Sequence, residues 1–519
     1  MNQVAPSHAS EPRLETRRYL LPIACVFVII PVLATGILFG VIPSISLLTV
    51  LLAGATAVFL LFRVGQNYDV LNPVRVFGAV WCFCLALVSL KLTTTISDWG
   101  PTMWAYVLAG LFSFIGGFWL LTGLRTRNQY PRREYSKMQL PPSELLLAPR
   151  TVGLAVVCLG IGVGTLSYLY SQIGLVPLLS GNIDAARSQF TSPIGQGEAN
   201  PQYNVLLNKI IILFTFFSKY AAYLSCILLF QKGRKSRLQI FVCRVLIVGG
   251  ILALASQGIR SEVFHVLVVS AALFHYLSRP LRLKELAVIG AMFILLLSIA
   301  GYWRDAAGSR AIAHARAERW SRLPPGDFWD QITYGYFRIT APFETFYRLT
   351  RDLPAQPEPS SGYSFYFLHR FVPRENLQDV AFRLYSQDMI TPTFLGEFYA
   401  DFGFWGILLG PLVLGLGYGY VYSQNERRQS LYWLFVKAML VPLLLFFADT
   451  NVFFRQPGWI WDMFCMWWLI KVASAGKRQL DATLSLESKI SGRIADPITS
   501  TVRAVEPCRR RLVTGKSGG

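Results

Sequence analysis

The chain has 519 residues, of which 53% are hydrophobic and only 15% are charged, and its formal net charge is +20. The mean hydropathy of +0.42 excludes an ordinary soluble domain and is typical of a membrane protein with many spans. The positive charge fits basic loops at a lipid surface better than nucleic-acid binding, so we expect no nucleic-acid partner.

Apolar runs of membrane-spanning length recur along the chain after a basic arm at residues 1–18. The first run is too long for a signal peptide and lacks a clear cleavage site, so we interpret it as a retained span. The predicted spans are 19–41, 44–63, 73–92, 103–124, 151–173, 205–230, 238–256, 262–278, 285–303, 395–422, 430–448 and 458–475. The predicted fold is therefore an all-α polytopic membrane protein with about twelve transmembrane helices.

These runs divide the chain into five regions. Nine spans occupy residues 19–303, an arginine-rich segment follows at 304–390, and three further spans occupy 391–475. A polar, basic tail at 476–519 is expected to be largely disordered. The remaining connections with many Lys and Arg residues all fall on one side if both termini are cytoplasmic, as the positive-inside rule requires.

This orientation places the long segment outside the membrane. The other outer connections are then 93–102, 174–204, 257–261 and 449–457. The loop at 174–204 is either a lid over a site or only a connector.

The long segment contains arginine but no lysine, since no lysine occurs between Lys284 and Lys437. A loop that needed only positive charge would mix the two residue types. The planar guanidinium offers paired donors, so arginine alone suggests recognition of phosphate or carboxylate. The alternative is a solvated outer domain with surface ion pairs. The arginines are Arg304, Arg310, Arg316, Arg319, Arg322, Arg338, Arg348, Arg351, Arg370, Arg374 and Arg383.

Two short outer turns add further arginines. Arg260 lies in the turn Gln257 to Glu262, and Arg455 lies in the turn at 451–457. An ionisable residue near the bilayer is costly, so we interpret Arg260 as facing a cavity that binds an anion. The alternative is that Arg260 and Glu262 pair with each other at the interface.

Acid–base chemistry has two kinds of candidate, carboxylates and histidines. Glu397 and Asp401 share one helix face if the helix starts near 391–394, where they act either as favourable charges at the helix start or as a general base. His314 and His369, in the long segment, are acid–base candidates. His265 is interpreted as a core residue. No histidine or cysteine spacing predicts a metal site or a disulfide framework, and no cofactor is expected.

Aromatic and small residues also cluster. Six aromatic residues of the long segment fall in a predicted helix, and we expect them to dock that helix on the membrane domain rather than to stack on sugars. The helix residues are Tyr334, Tyr336, Phe337, Phe343, Phe346 and Tyr347. The glycines after residue 395 are expected mostly to let helices approach closely.

Residues 392–406 read Pro-Thr-Phe-Leu-Gly-Glu-Phe-Tyr-Ala-Asp-Phe-Gly-Phe-Trp-Gly, and a Gly-x-Arg turn lies at Gly258 and Arg260. With the span layout, these features resemble the O-antigen and exopolysaccharide repeat-unit polymerases (the Wzy-like family). The resemblance implies a metal-independent, inverting glycosyl transfer at the outer face of a bacterial inner membrane. Donor and acceptor would be undecaprenyl-diphosphate-linked glycans, and a chain-length regulator protein would be a candidate partner.

Under this interpretation the arginines bind the diphosphate as it leaves, and Glu397, Asp401 or a histidine such as His314 activates the acceptor hydroxyl. The predicted diphosphate-binding residues are Arg260, Arg304, Arg310, Arg338, Arg370, Arg374 and Arg455. An O-antigen ligase shares the layout, but it has a histidine just before the span that follows the long loop. A flippase would need charges along a central cavity, whereas the candidate charges here cluster on one face. A scaffolding protein of the assembly apparatus is a further alternative.

Overall fold

The computed structural model describes residues 69–126, 140–141, 144–173, 176, 213–233, 235–257, 260–282, 285, 288–290, 298–299, 302, 310–324, 326–353, 391–447 and 458–474. The arm at 1–18, the first two predicted spans, the loop at 177–204 and the tail at 476–519 lie outside the described residues, as does the stretch 354–390. Within the described ranges the chain is helical and forms no strand, only two isolated β-bridges.

Eleven helices are defined within these ranges. They are α1 Pro73–Leu90, α2 Pro101–Thr126, α3 Ala148–Ile173, α4 Phe217–Phe230, α5 Arg237–Ser256, α6 Arg260–Leu277, α7 Arg310–Trp320, α8 Asp327–Asp352, α9 Phe394–Arg428, α10 Leu431–Phe446 and α11 Gly458–Ala473. Six stretches are long and apolar enough to cross a membrane, namely α1, α2, α3, α5, α9 and Leu213–Phe230, and α6 and α10 are shorter apolar helices. The all-α, multi-pass character is thus confirmed, whereas the total of twelve spans stays a prediction.

Local sequence signals explain several helix ends. The side chain of Asn72 accepts a hydrogen bond from the backbone N–H of Val74, and Pro73 occupies the first turn of α1, where a missing N–H costs nothing. Helix α5 begins with a reciprocal capping box between Ser236 and Gln239. These starts confirm the sequence-based boundaries to within a few residues.

Two hydrophobic cores organise the bundle. The first is formed by α1, α2, α8, α9 and α10 around fully buried aromatic rings such as Phe77, Trp81 and Phe394. The second is formed by α3, α4, α5, α6, α10 and α11. Because α10 contributes to both cores, it connects the two halves of the bundle.

Helices α2 and α9 touch backbone to backbone. A Cβ on Gly117 would lie 2.2 Å from the carbonyl oxygen of Leu412, and one on Gly415 would lie 2.1 Å from that of Phe114. No larger side chain fits at either position. The predicted role of the later glycines in close helix approach is confirmed here.

Helix α9 is broken at Gly403, which has φ 57° and ψ −140°, a conformation that is open to glycine. The ring of Phe398 lies 2.4 Å from where a Cβ on Gly410 would be, although a straight helix would separate these residues by about 18 Å. Residues 394–402 therefore form a short helix that folds back on 404–428. The predicted span at 395–422 is therefore divided, because Gly403 reverses the chain before the apolar helix at 404–428.

The connections group at two ends of the bundle. At one end, which we call the loop end, Thr93 and Thr94 pair with residues 320–321, and Phe394 donates its N–H to the carbonyl of Phe447. Phe264, near the start of α6, contacts Phe446 at the same end. Residues beside several of the predicted outer connections therefore lie at the same end of the bundle, as the sequence predicted. The compartment that each end faces stays a prediction.

Candidate functional site

Helix α8, from the arginine-rich segment, is docked on the loop end of α1. The Tyr336 hydroxyl donates to the Leu87 carbonyl at 2.8 Å and accepts from the Leu92 N–H at 3.1 Å. The Phe343 ring packs 4.8 Å from that of Trp81. Tyr336, Phe343 and Phe346 are buried in the first core and Tyr347 packs against it, so the prediction that they dock the helix on the membrane domain is confirmed for these four. Tyr334 and Phe337 are instead buried against Trp320 of α7, so the prediction was wrong for these two.

A buried carboxylate fixes this docking. Glu344 is 0% exposed and accepts hydrogen bonds from the Ser97 N–H and hydroxyl and from the Trp99 indole N–H. Arg348 donates to the same carboxylate at 2.9 Å and to the Thr95 carbonyl at 3.0 Å. Sequence reasoning missed Glu344. The sequence signal that could have found it is a glutamate four residues before an arginine, Glu344 and Arg348, within a helix face rich in aromatic residues.

The short helix at 394–402 packs against the C-terminal half of α8. The Thr393 N–H donates to the Pro342 carbonyl at 3.3 Å, and the Tyr399 hydroxyl donates to the Thr350 carbonyl at 3.2 Å. Glu397, in its first turn, is only 5% exposed, and Asp401 is half-buried. The predicted helix start near 391–394 is confirmed, so both carboxylates do share a face.

His314 on α7 is oriented by a carboxylate on α8. Its Nδ1 lies 2.6 Å from Oδ2 of the buried Asp330, while 41% of the His314 side chain is exposed. The hydrogen bond to Asp330 raises the pKa of His314 above its ordinary value. Its Nε2 lies 3.3 Å from Oε1 of the exposed Glu318. A histidine held in this way by a buried acid is suited to exchange a proton with a bound hydroxyl.

The described arginines do not gather around one cavity. Arg310 is 73% exposed and forms a surface ion pair with Asp327, as in the solvated-domain alternative. Arg338 is exposed and lies eleven residues beyond Asp327, about 16 Å along α8. Arg260 is the first residue of α6, and its side chain lies outside the described part of the structure. The predicted residues Arg304, Arg370, Arg374 and Arg455, with His369, lie outside the described residues.

The predicted acid–base residues fall into two separate places. Asp330, the partner of His314, and Phe346, which packs on the ring of Tyr399, are sixteen residues apart on α8, or about 24 Å along its axis. His314 therefore does not share a reaction centre with Glu397 and Asp401. Either place, but not both, can supply the general base.

Two buried ionic clusters were missed by the sequence analysis. At the loop end, Lys219 donates to Asp462 at 2.7 Å and to Glu262 at 3.3 Å. The Glu262 carboxylate accepts from a lysine on another helix, a partner that the sequence did not suggest. The alternative pair between Arg260 and Glu262 stays a prediction, because the Arg260 side chain lies outside the described residues. The sequence signal that could have found this cluster is a charged residue inside an apolar run, as at Lys219 and Asp462. Such residues are rare in membrane spans and usually have a partner of opposite charge.

The second cluster lies at the other end of α6. Asp69 accepts hydrogen bonds from Lys437 at 2.9 Å, from Tyr422 at 3.1 Å and from His275 Nε2 at 3.1 Å. The Leu281 N–H donates to Nδ1 of His275 at 2.9 Å, which orients the ring toward Asp69. This ion pair is therefore buried at the end of the bundle opposite the loop end. The grouping of the candidate charges on one face stays a prediction.

Among the described residues, no group of three His, Cys, Asp or Glu side chains has the arrangement of a metal site. No family model matches the chain, and no curated protein or solved structure is significantly similar to it. The composition and apolar helices define the class of a multi-pass helical membrane protein. Beyond that class, the arrangement at the loop end is the basis for an assignment.

Proposed function

We propose that the chain is a membrane glycosyltransferase that polymerises undecaprenyl-diphosphate-linked oligosaccharide repeat units at the outer face of a bacterial inner membrane. One observation supports this most directly. The segment 392–406, on which the family resemblance rests, forms a single structural unit, a short helix folded back at Gly403 under a helix of the arginine-rich segment. A motif that only filled a span would not need this break.

In the proposed reaction His314 is the general base. Its Nε2 takes the proton of an acceptor sugar hydroxyl, and the oxygen attacks the anomeric carbon of the donor glycan. The bond from that carbon to the diphosphate oxygen breaks with inversion, and the lipid diphosphate departs with the bonding electron pair. The proton remains on His314 as an imidazolium, which Asp330 stabilises.

His314 is a better base than Glu397 because of access. An exposed imidazole can meet a hydroxyl on the sugar part of a lipid-linked acceptor, whereas the Glu397 side chain is buried. The Glu318 side chain lies near Nε2 but is itself about half exposed, so it can turn away when a hydroxyl binds. Glu397 is then a positioning residue at the helix start, where the helix dipole favours a negative charge.

The departing diphosphate needs positive charge. We assign this role to the predicted arginines, of which Arg338 is exposed on α8 close to the middle of the docked helix. Each charge-assisted hydrogen bond from a guanidinium is worth roughly 1.5–3 kcal/mol. Arg310 is the least suitable arginine of the set for binding a diphosphate, because its guanidinium already pairs with the Asp327 carboxylate.

A lipid-linked oligosaccharide flippase is the second candidate. The specific observation in its favour is the pair of buried ionic clusters at the two ends of α6, because buried charges within spans often mark transport pathways. An O-antigen ligase is a third. Deletion of the chain distinguishes them, since a polymerase mutant retains one attached repeat unit while a ligase or flippase mutant loses all attached glycan.

The residue assignment is tested by complementing the deletion strain and resolving glycan length on a gel. His314→Gln should abolish the ladder while one repeat unit remains, and Glu318→Gln on the same helix is the matched control that should keep it. A full ladder from normally expressed His314→Gln shows that the base lies elsewhere. In that case loss of the ladder in Glu397→Gln, at normal abundance, assigns the base to Glu397.

A further inference from the structure

Helix α5 has an arginine within its apolar, membrane-length stretch. The helix is Arg237–Ser256, and Arg244 lies seven residues after its first residue, about 10 Å along the axis. The Arg244 side chain is exposed. A charged side chain that faces lipid is costly, so Arg244 needs a compensating group.

The neighbours of Arg244 identify this side of α5 as a lipid-facing one. Phe241, Val245, Val248 and Leu252 are each more than half exposed. These large apolar side chains recur at the three- and four-residue spacing of one helix face, and Arg244 lies at the edge of that face. The guanidinium therefore borders lipid and is not enclosed by the bundle.

The helices around Arg244 supply no negative charge. Within the described part of the chain, Arg244 makes no hydrogen bond or ion pair. Helices α3, α4 and α6 pack on α5. The first two contain no Asp or Glu, and the single acidic residue of α6, Glu262, lies at the loop end. The two predicted spans at 19–63 also contain no Asp or Glu. The membrane itself is then the source of a compensating anion.

A second arginine lies on the same side of α5. Arg237 is exposed, and a separation of seven residues places it within about 20° of Arg244 around the helix axis. Helix side chains tilt toward the N-terminus, so Arg244 is directed toward the level of Arg237 at the membrane boundary. The two planar guanidinium groups can approach one phosphate from opposite sides, while Phe241 and Val245 contact the adjoining acyl chain.

The start of α5 favours an anion for a further reason. Its first turn contains no acidic residue, so the positive end of the helix dipole is not compensated there. Lys235, just before the helix, does not compete for the anion, because its ammonium donates to the carbonyls of Leu229 and Gln231.

We propose that Arg237 and Arg244 bind the phosphate of an anionic phospholipid at the end of α5 opposite the loop end. A zwitterionic headgroup carries its own positive charge, so an anionic headgroup compensates two arginines better. The site lies at the other end of the bundle from His314 and does not depend on the proposed glycosyl transfer.

The experiment measures the thermal midpoint of the purified full-length chain in nanodiscs of phosphatidylcholine, with and without phosphatidylglycerol. A ligand that binds only the folded state raises its stability, so phosphatidylglycerol should raise the midpoint of the wild type. Arg244→Leu should lose most of this rise. In pure phosphatidylcholine that variant should melt no lower than the wild type, because an uncompensated charge has been removed, so its lost response is not a loss of fold.

Native mass spectrometry of the same proteins in detergent measures the bound lipid. The affinity for phosphatidylglycerol should fall at least about tenfold in Arg244→Leu, since at least one charge-assisted hydrogen bond is lost. Arg427→Leu is the matched control, because Arg427 is exposed in the last turn of α9, at the same end of the bundle but in the other core. That control should keep both the affinity and the rise in midpoint.

Three results overturn the proposal. The first is an equal response to phosphatidylglycerol in the wild type and in Arg244→Leu. The second is an equal loss of response in Arg427→Leu, which would indicate a general attraction of basic residues to an anionic surface. The third is the same stabilisation by inorganic phosphate added to phosphatidylcholine nanodiscs, which would identify the ligand as a free anion and not a lipid.

Discussion

Replacing Glu344 by Gln tests whether the docked position of α8 depends on its buried carboxylate. The two carboxylate oxygens accept four hydrogen bonds from three residues, Ser97, Trp99 and Arg348. In the Glu344→Gln variant an NH2 group replaces one of these oxygens. In the less costly orientation that NH2 faces the Ser97 hydroxyl and the Arg348 guanidinium. The hydroxyl can rotate to accept a hydrogen bond from it, whereas the guanidinium has only donors and cannot accept one.

The magnitude follows from those contacts. One charge-assisted bond worth roughly 1.5–3 kcal/mol is lost, and the remaining bonds become neutral, so about 2–4 kcal/mol is a reasonable total. Each 1.4 kcal/mol is tenfold, so the undocked population of α8 should rise by about 30- to 700-fold. Hydrogen–deuterium exchange of the α8 backbone amides measures this population directly.

The matched control is Asp98→Asn, in the same connection, because Asp98 forms an exposed pair with Lys91. Exposed pairs contribute little, so α8 protection should be unchanged in this variant. Unchanged protection in Glu344→Gln would refute the reasoning, since the carboxylate would then contribute nothing to docking. Glycan synthesis should fall in parallel with protection in Glu344→Gln, because undocking of α8 separates it from the short helix at 394–402.

Three further outcomes are expected. Asp330→Asn removes the hydrogen bond that raises the pKa of His314, so the pKa of His314 should fall. Because the base must be unprotonated to act, the acidic limb of a pH–activity profile measured in isolated membranes should move to lower pH. The maximal rate should also fall. Gly403→Ala forces a side chain into a glycine conformation at a cost of about 1–3 kcal/mol, which a lowered thermal midpoint should show. Gly415→Val places atoms against a carbonyl oxygen of α2 and should abolish folded protein, whereas Gly417→Ala, which meets open space, should be tolerated in the same expression and melting assay.

Much of the fold was predictable because its signals are local. The length of the apolar runs placed α1, α2, α3 and α5 to within a few residues. The docking of the aromatic helix also followed from its sequence, since an amphipathic aromatic face needs a partner surface. These predictions require no knowledge of which residues meet across the chain.

The rest depended on contacts between distant residues. Lys219 and Asp462 are 243 positions apart, and a hydropathy average over either span conceals a single charge. The break at Gly403 depends on residues 394–402 finding a surface to fold against, which glycine permits but does not require. The arginine-rich composition indicated an anion site, but it did not distinguish Arg310, paired at the surface, from an arginine that is open to a ligand.

The glycine contacts between α2 and α9 have a mechanical consequence. Backbones in direct contact cannot slide or rotate past each other without collision, so these two helices form a stiff half of the molecule. Relative motion of the helices is then easier along α10, where side chains rather than backbones form the contacts with both cores. Under the proposed function, a lipid-linked glycan that enters between the two cores would hinge the bundle about α10 and strain the ion pair between Lys437 of that helix and Asp69.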